Sequence, residues 1–286
     1  MVLGLIGVAA IAALALIETA VAIIEPLRAP TTADWQAAAE LVRGQFHKGD
    51  LIVAAPAWAD PVMRLHLGDL IPIAVAGRLD DGRFGRVWEI GQRSEHAPEA
   101  ETGTVALAQR FGALTVRRIE RPPAVVTYDF VARWSDATLS RVDNKGTVTP
   151  CPLAGDRLAC PDIGFNFVKA QLVEVDTRLR QALLAQPVGN ATVVVEYPNV
   201  PLGREIVLGT GLHNVWMRKA ARGPVDIKVV VDGQAMLTVT TTNDTGWTIW
   251  RINTVASQGK TATVRFEITS PAPYQRHFAF AAEARS

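Results

Sequence analysis

Residues 225–241 read VDIKVVVDGQAMLTVTT. Apolar and polar side chains alternate on both sides of Asp232-Gly233, which is the pattern of two half-buried strands joined by a tight turn. The same period of two extends through the C-terminal part of the chain. It predicts seven strands: ATVVVEY (191–197), REIVLGTGL (204–212), VDIKVVVDG (225–233), AMLTVTT (235–241), WTIWRIN (247–253), ATVRFEIT (262–269) and HFAFAAEA (277–284). Seven short strands in about 95 residues predict a jelly-roll-like β-sandwich over residues 190–286.

Residues 32–135 show a different pattern, in which short helices alternate with strands. Asp34 is placed to cap a helix over residues 35–46, and LIVAA (51–55) is uniformly apolar, as in a buried strand. Further strands are predicted at 71–77, 85–91, 113–120 and 124–134, and further helices at 62–67 and 99–111. This alternation predicts a small Rossmann-like α/β domain with some antiparallel edges, so that the fold class is α/β plus all-β.

Residues 136–189 form a predicted connecting region with two features. Cys151 and Cys160 are the only cysteines of the chain and lie in the loop CPLAGDRLAC. Two cysteines cannot fill a four-ligand zinc site, so a disulfide is the economical interpretation. Apolar residues at helical spacing then predict an amphipathic helix over residues 167–184.

Residues 2–24 contain a single ionisable side chain, Glu18. A helix of this length spans about 35 Å, enough for a hydrocarbon core of about 30 Å. We therefore expect a transmembrane anchor over residues 1–25, with the lipid bilayer as a partner of residues 2–24 and with a cleaved signal peptide or a buried helix as alternatives. Such an anchor also suits the last span of a longer multi-span protein. Glu18 would snorkel to the membrane interface or contact another transmembrane helix.

Charge and cysteine usage bear on partners and location. The chain has 29 Lys and Arg against 28 Asp and Glu, which gives a net charge of +1 and no basic face for nucleic acid. Basic residues after the apolar segment favour a cytoplasmic body under the positive-inside rule, whereas a disulfide persists outside the cytosol. We weight the disulfide more and expect a single-pass protein of the inner membrane with a periplasmic body.

Motifs of common catalytic centres do not occur in the sequence. It has no Gly-x-Ser-x-Gly elbow, no phosphate-binding loop and no His-Glu-x-x-His. The five histidines are scattered without ligand spacing, so no metal or other cofactor is predicted. Asp80-Asp81 precedes Gly82 and is interpreted as a turn. The balance is against an enzyme, and no catalytic residue is named.

Two groups of residues are candidates for ligand binding. The aromatic residues of the sandwich are Trp216, Trp247, Trp250 and Tyr274. The three tryptophans are the candidates to stack on sugar rings, with core or inter-domain packing as the alternative. Trp247 and Trp250 have opposite parity, so they should point to opposite faces of one strand. Asp60 and Arg64 follow the first strand, where α/β domains usually bind ligands.

Short motifs resemble a known family. They are Asp34-Trp35-Gln-Ala-Ala-Ala-Glu-Leu-Val, Gly49-Asp50-Leu-Ile-Val and Pro56-Ala-Trp58-Ala-Asp60-Pro61. They are similar to the soluble extracytoplasmic region of bacterial family 39-type glycosyltransferases, multi-span GT-C-fold enzymes that use polyprenyl-phosphate sugars. The likeness covers residues 25–135. Their catalytic acid lies between early membrane helices, so the resemblance implies an accessory part without the catalytic core.

The C-terminal strands are similar in pattern to carbohydrate-binding jelly rolls, chiefly through Asp232-Gly233, Gly246-Trp247 and the closing strand. The leading hypothesis is a non-catalytic, membrane-anchored accessory or glycan-recognition protein. The alternative is a structural subunit of a multi-subunit membrane complex, with other membrane proteins as partners. An exposed tryptophan in a polar-rimmed groove would favour the first, and buried sandwich tryptophans would favour the second.

Overall fold

The computed structural model describes residues 2–27, 29–161, 163–213, 222–274 and 276–286. The chain forms two compact units. The first comprises Met1–Ile71 and Phe84–Pro122, and the second comprises Pro72–Arg83 and Pro123–Ser286.

The first unit is a four-stranded sheet with helices. Its elements are α1 (Val2–Leu27), α2 (Thr32–Gln45), β1 (Leu51–Ala55), α3 (Asp60–Leu67), β2 (Arg86–Gln92), β3 (Thr104–Phe111) and β4 (Leu114–Glu120). The strand order is β1-β2-β4-β3. Helix α2 begins in a capping box between Thr31 and Asp34, so Asp34 lies inside the helix rather than at its cap.

The Rossmann-like prediction is wrong. Only β1 and β2 are parallel, and the other two pairs of this sheet are antiparallel. Residues 99–111, predicted as a helix, contain β3, which forms a hairpin with β4 through Gly112 at φ 52°. Residues 71–77, predicted as a strand, contain the short helix α4 (Ile73–Ala76) of the second unit. Short apolar runs fit the period of a helix as well as that of a strand, and contacts with neighbouring elements decided which of the two formed.

The predicted transmembrane helix is also corrected. Among the described residues, no helix combines the length and the apolarity that a membrane crossing requires. The described side chains of α1 are those of residues 10–23, all exposed. Glu18 lies within this stretch and is exposed.

The second unit is a β-sandwich, which confirms the β-sandwich prediction for this part of the chain. After α4, its strands are β5 (Val126–Asp129), β6 (Thr138–Asp143), β7 (Val148–Cys151), β8 (Leu153–Ala154), β9 (Arg157–Ala159), β10 (Phe167–Val175), β11 (Arg178–Ala185), β12 (Ala191–Pro201), β13 (Glu205–Leu212), β14 (Val225–Val231), β15 (Gln234–Thr241), β16 (Thr248–Asn253), β17 (Thr261–Thr269) and β18 (Phe278–Arg285). One sheet has the order β16-β13-β18-β11-β10-β9-β8, with β5 paired to β18, and the other has β15-β14-β17-β12-β6-β7. Strands from residue 126 onward therefore belong to these sheets, in addition to those predicted from residue 191.

The core lies between the two sheets. Alternate residues of β17, Val264, Phe266 and Ile268, are fully buried, as the period of two predicts. Phe266 meets Phe280 of the opposite sheet with ring centroids 5.0 Å apart. This contact joins the inner faces of the two sheets.

The amphipathic helix predicted at residues 167–184 is wrong, because β10 and β11 form a hairpin there. Its two-residue turn is Asp176-Thr177, with φ of 51° and 61°. Such turns usually carry Asn-Gly or Asp-Gly, so the local sequence gave little indication of it. A tertiary contact supports the turn: the Asp176 carboxylate accepts a hydrogen bond from the backbone N–H of Trp247 at 3.0 Å.

The predicted disulfide is confirmed, since Cys151 and Cys160 are bonded. Cys151 ends β7 of one sheet, and Cys160 follows β9 of the other. The bond therefore links the two sheets at one edge of the sandwich.

Candidate functional site

The described ends of three connections of the sandwich lie at one end, which we call the loop end. They are β13–β14, β15–β16 and β17–β18, and each passes from one sheet to the other. Antiparallel pairing places them together, because β13 ends beside the starts of β16 and β18. The Ser270 hydroxyl donates to the Pro224 carbonyl at 2.7 Å, which ties two of the connections.

Tyr274 is the most exposed aromatic residue described at the loop end. Its relative exposure is 73%. Arg222 donates from Nη1 to the Tyr274 carbonyl at 2.7 Å, and its guanidinium carbon lies 4.8 Å from the centre of the Tyr274 ring. The guanidinium therefore lies over one face of the ring as in a cation–π contact, while most of the Tyr274 side chain stays exposed.

Arg276 and Asn243 lie next to this pair. Arg276 is completely buried, and its Nη1 donates to Asn243 Oδ1 at 2.5 Å. Burial and the neighbouring charge of Arg222 lower the pKa of Arg276. Asn243 adds an amide group to the same end of the sandwich.

Two histidines complete the loop end. The rings of His213 and His277 are parallel, with centroids 6.2 Å apart, and the His213 N–H donates to the His277 carbonyl at 2.8 Å. Burial lowers the pKa of both, opposed at His213 by Glu174 and reinforced at His277 by His213. Both imidazoles are therefore neutral at pH 7, and each can donate one hydrogen bond and accept another.

Trp250 lies beneath the loop end rather than on its surface. It pairs with Leu208 in the sheet, and its indole N–H donates to the Thr210 hydroxyl at 3.1 Å. Thr210 in turn accepts from Thr241 of the other sheet at 3.3 Å. Trp250 is thus half-buried on the inner face and takes part in a hydrogen-bond chain between the sheets.

Trp247 lies on the outer face of the larger sheet. Its indole N–H donates to the Leu79 carbonyl at 2.9 Å, and the Arg180 guanidinium lies 5.3 Å from its ring. A Cβ at Gly209 would come within 2.4 Å of the Trp247 ring. Trp247 therefore packs segment 72–83 onto a glycine-containing part of the sheet. The opposite orientation of the two tryptophans matches their parity, and both are half-buried.

The other candidates are placed as follows. Trp216 lies outside the described residues. Asp60 and Arg64 belong to the first unit and form an i,i+4 ion pair at 2.6 Å, which occupies the two charges with each other. Glu18 lies on α1 and is exposed.

The opposite end of the sandwich has an open pocket of about 470 Å³. Its lining residues are Arg204, Glu205, Arg251, Asn253, Val255 and Ser286. Arg251 is already paired with Glu205 at 2.7 Å. Strand β13 separates this pocket from the loop end by about 25 Å, because its eight residues each rise about 3.3 Å.

Sequence reasoning missed five residues of the loop end: His213, Arg222, Asn243, Arg276 and His277. Asn243 stands in a segment predicted to be a turn, and His277 stands at the start of a predicted strand. The other three lie between predicted strands, where no motif indicated a site. Tyr274 was noticed only as an aromatic residue of the sandwich. Within the described ranges, no group of three or more His, Cys, Asp or Glu residues could hold a metal ion.

Comparison with known proteins finds similarity only among solved structures. No family model matches the chain, and no curated protein matches its sequence. The resemblance to family 39-type glycosyltransferases has no support from these comparisons and stays a prediction.

Three solved structures illustrate the similarity. CBM51 from Clostridium perfringens GH95, in complex with methyl-galactose, is 10% identical, with 40% of this chain and 80% of that chain covered and a TM-score of 0.31. CBM51-2 with the INT domains of Clostridium perfringens ZmpB, in complex with GlcNAc, is 13% identical, with 52% of this chain and 37% of that chain covered and a TM-score of 0.35. The CBM22-1–GH10 modules of Clostridium thermocellum xylanase 10B, in complex with xylohexaose, are 9% identical, with 57% of this chain and 28% of that chain covered and a TM-score of 0.29. The chain spans less than two thirds of the last two, and this similarity does not assign it to their families.

Proposed function

We propose that this chain is a non-catalytic glycan-recognition protein and that the loop end of its β-sandwich binds the sugar. The observation that carries the proposal is the exposed Tyr274 side chain, over one face of which the Arg222 guanidinium lies. The candidate tryptophans 247 and 250 are less suited to stacking, because other parts of the sandwich already occupy their indole groups.

The chemistry of a sugar matches the chemistry of the loop end. A pyranose ring has apolar C–H faces and a hydroxylated edge. The Tyr274 ring supplies an apolar surface of comparable size, and binding would remove both surfaces from water. The hydroxyls need donors and acceptors, and Arg222, Asn243 and His277 of the loop end carry such groups.

The disulfide supports an extracytoplasmic location for this function, because such bonds persist outside the reducing cytosol. A recognition protein in that location would meet glycans of the cell envelope or its surroundings. We propose this location on the disulfide alone.

The experiment is a glycan-binding screen with immobilised polysaccharides and oligosaccharides, followed by calorimetry with the glycans retained. Tyr274→Ala should weaken binding about tenfold or more, since an aromatic contact contributes roughly 1 kcal/mol beyond its buried area. Tyr274→Phe should keep most of the affinity, because the ring and not the hydroxyl makes the stacking surface.

Phe165→Ala is the matched control. Phe165 is an exposed aromatic residue of the same unit, at 56% relative exposure, and belongs to none of the three connections that define the loop end. Its removal should leave binding unchanged, and none of the three variants should change the melting temperature appreciably. The proposal is wrong if the wild-type protein retains no glycan, or if Tyr274→Ala and Phe165→Ala have equal effects.

A second candidate function, a structural subunit of a protein complex, is favoured by one surface of the first unit. Val62 and Leu65 are exposed three residues apart on α3, so they share one helix face, and the exposed Trp58 precedes them by about one turn. Surfaces of this kind often mark protein contacts. A partner that co-purifies in fixed stoichiometry with the wild type but not with Leu65→Asp would support this function, and unchanged recovery would count against it.

A further inference from the structure

We infer that the pocket at the end of the sandwich opposite the loop end binds a small ligand with a carboxylate or phosphate group, and that Arg204 holds this group. The inference goes beyond the proposed glycan recognition and does not depend on it. The pocket has a volume of about 470 Å³, which is enough for a sugar-sized ligand. All of its lining residues belong to the described part of the chain: Arg204, Glu205, Arg251, Asn253, Val255 and Ser286.

The backbone of Arg204 is fixed on both sides. Its N–H donates to the Arg285 carbonyl at 2.6 Å, and its carbonyl accepts from the N–H of Thr254 at 2.8 Å. The preceding Gly203 lets the chain pass this close, because a Cβ there would lie 1.9 Å from the Arg285 carbonyl oxygen. The side chain of Arg204 therefore starts from a fixed point in the wall of the pocket.

The guanidinium of Arg204 has no carboxylate partner among the described residues. Other arginines of the same unit do have one: Arg285 contacts Asp80 at 2.6 Å, and Arg251 contacts Glu205 at 2.7 Å. The fork of N–H groups on arginine matches a carboxylate or a phosphate in two parallel hydrogen bonds. Arg204 is exposed, so this fork is accessible to a ligand in the pocket.

The other polar groups of the pocket are arranged around two strands. Arg251 and Asn253 are two residues apart on β16 and share one face of the sheet, and Glu205 of β13 pairs with Asn253. Asn253 Oδ1 accepts from the N–H of Val255 at 3.0 Å, and the amide N–H groups of Asn253 have no partner among the described residues. Arg251 is compensated by Glu205 at 2.7 Å and by Asp80 at 3.5 Å. Asn253 can therefore donate to a ligand whose charge Arg204 neutralises.

Val255 adds an apolar contact to the pocket. It begins the short helical turn Val255–Ser257 after β16, and its relative exposure is 50%. A ligand with C–H groups beside its anionic group would remove part of this side chain from water. An inorganic anion would gain nothing from Val255, so we expect the pocket to favour an organic anion.

The test compares three forms of one sugar that differ only at the exocyclic carbon: galacturonate, galactose 6-phosphate and galactose. We expect calorimetry to give dissociation constants of about 1 mM or lower for the two anions, and binding about tenfold weaker or less for galactose. Inorganic phosphate is the probe for the anionic group alone and should bind more weakly than galactose 6-phosphate. In NMR spectra of the full chain, the side-chain amide of Asn253 should shift with both anionic sugars.

Arg204→Ala should weaken binding of both anionic sugars about tenfold or more, and Arg204→Lys should restore only part of the affinity, because lysine keeps the charge but not the fork. Arg157→Ala is the matched control, since Arg157 is an exposed arginine of the same unit that does not line the pocket. It changes the net charge equally and should leave the affinity unchanged. Tyr274→Ala, at the loop end, should also leave it unchanged.

Each contrary result overturns a defined part of the inference. Galactose binding as tightly as the two anions would overturn the anionic class. Equal losses in Arg204→Ala and Arg157→Ala would overturn the role of Arg204, and a loss in Tyr274→Ala instead would overturn the pocket as the site. If neither anionic sugar binds saturably up to about 10 mM, the whole inference fails, while the glycan screen with the Tyr274 variants still decides the proposed function.

Discussion

Replacing Asp80 by alanine should destabilise the sandwich strongly. Asp80 lies in segment 72–83 and is 7% exposed, and its carboxylate accepts two hydrogen bonds from the Arg285 guanidinium, at 2.6 and 2.9 Å. Arg285 is only 1% exposed, so water cannot replace the lost partner. Burial alone would raise the pKa of Asp80, but the hydrogen bonds and charge of Arg285 outweigh it and lower the pKa.

The expected loss follows from this geometry. Removing one partner of a buried ion pair costs roughly 3–5 kcal/mol, because the remaining charge is left uncompensated. Arg285 keeps Glu283 at 2.7 Å, so we expect the lower end, about 3 kcal/mol. For a unit of this size, that corresponds to a fall in melting temperature of about 6–12 °C.

Calorimetry and guanidinium unfolding of the wild type and Asp80→Ala would measure this loss. Asp156→Ala is the control, because Asp156 forms an ion pair with Lys169 at the surface of the same unit, with 73% of its side chain exposed. Surface pairs contribute little, so this variant should melt close to the wild type. If both variants lose the same stability, the ion pair does not have the importance assigned to it.

The pH dependence gives a second check on Asp80. The Asp80 carboxyl has a lower pKa in the folded state than in the unfolded state. Such a group stabilises the folded state at pH values above its unfolded pKa of about 3.9, and this stabilisation is lost as the pH falls through the folded pKa. The difference between wild type and Asp80→Ala should therefore be constant near neutral pH and shrink below about pH 4. A difference that does not shrink would contradict this account.

Three further predictions concern the sandwich. Gly209→Ala should lower the free energy of unfolding by roughly 1–3 kcal/mol, because the new Cβ would lie 2.4 Å from the ring of Trp247. Denaturant unfolding would measure this loss, and an unchanged midpoint would refute the packing of segment 72–83 described above. The pKa values of His213 and His277 are lowered in the folded state, so the unfolded chain binds protons more readily as the pH drops below about 6.5. Wild-type stability should therefore fall between pH 7 and pH 5 in thermal melts. Replacing both histidines by glutamine should flatten this pH dependence. Reduction of the disulfide, which closes a loop with a sequence separation of 9, should cost about 2.5–3 kcal/mol, measured by unfolding with and without reductant; equal midpoints would contradict it.

Several features of the fold were predictable because they depend on short stretches of sequence. β14 and β15 alternate apolar and polar residues around Asp232-Gly233, and the structure places that turn at positive φ in both residues. The disulfide followed from two cysteines in one short loop. β1 was recognisable as a buried strand because all five of its residues are apolar.

Other features depended on contacts between distant residues. The apolar residues of 167–184 fit a helical period, yet β10 and β11 form a hairpin whose turn is held by the N–H of Trp247, some seventy residues away. The candidate site depends on such contacts even more. Arg222 and Tyr274 are distant in sequence, and each stands between two predicted strands.

The sequence by itself determined where the strands of the sandwich from residue 191 onward lie and which cysteines pair, because alternation and close spacing act over a few residues. Only the tertiary structure decided which strands pair and which partners each side chain contacts. Pairing of β13 with β16 and β18 gathered three connections at one end, exposed Tyr274 beside Arg222, and turned Trp247 and Trp250 toward structural partners. Burial and hydrogen bonding of a side chain depend on which strands become neighbours, and no local pattern carries that information.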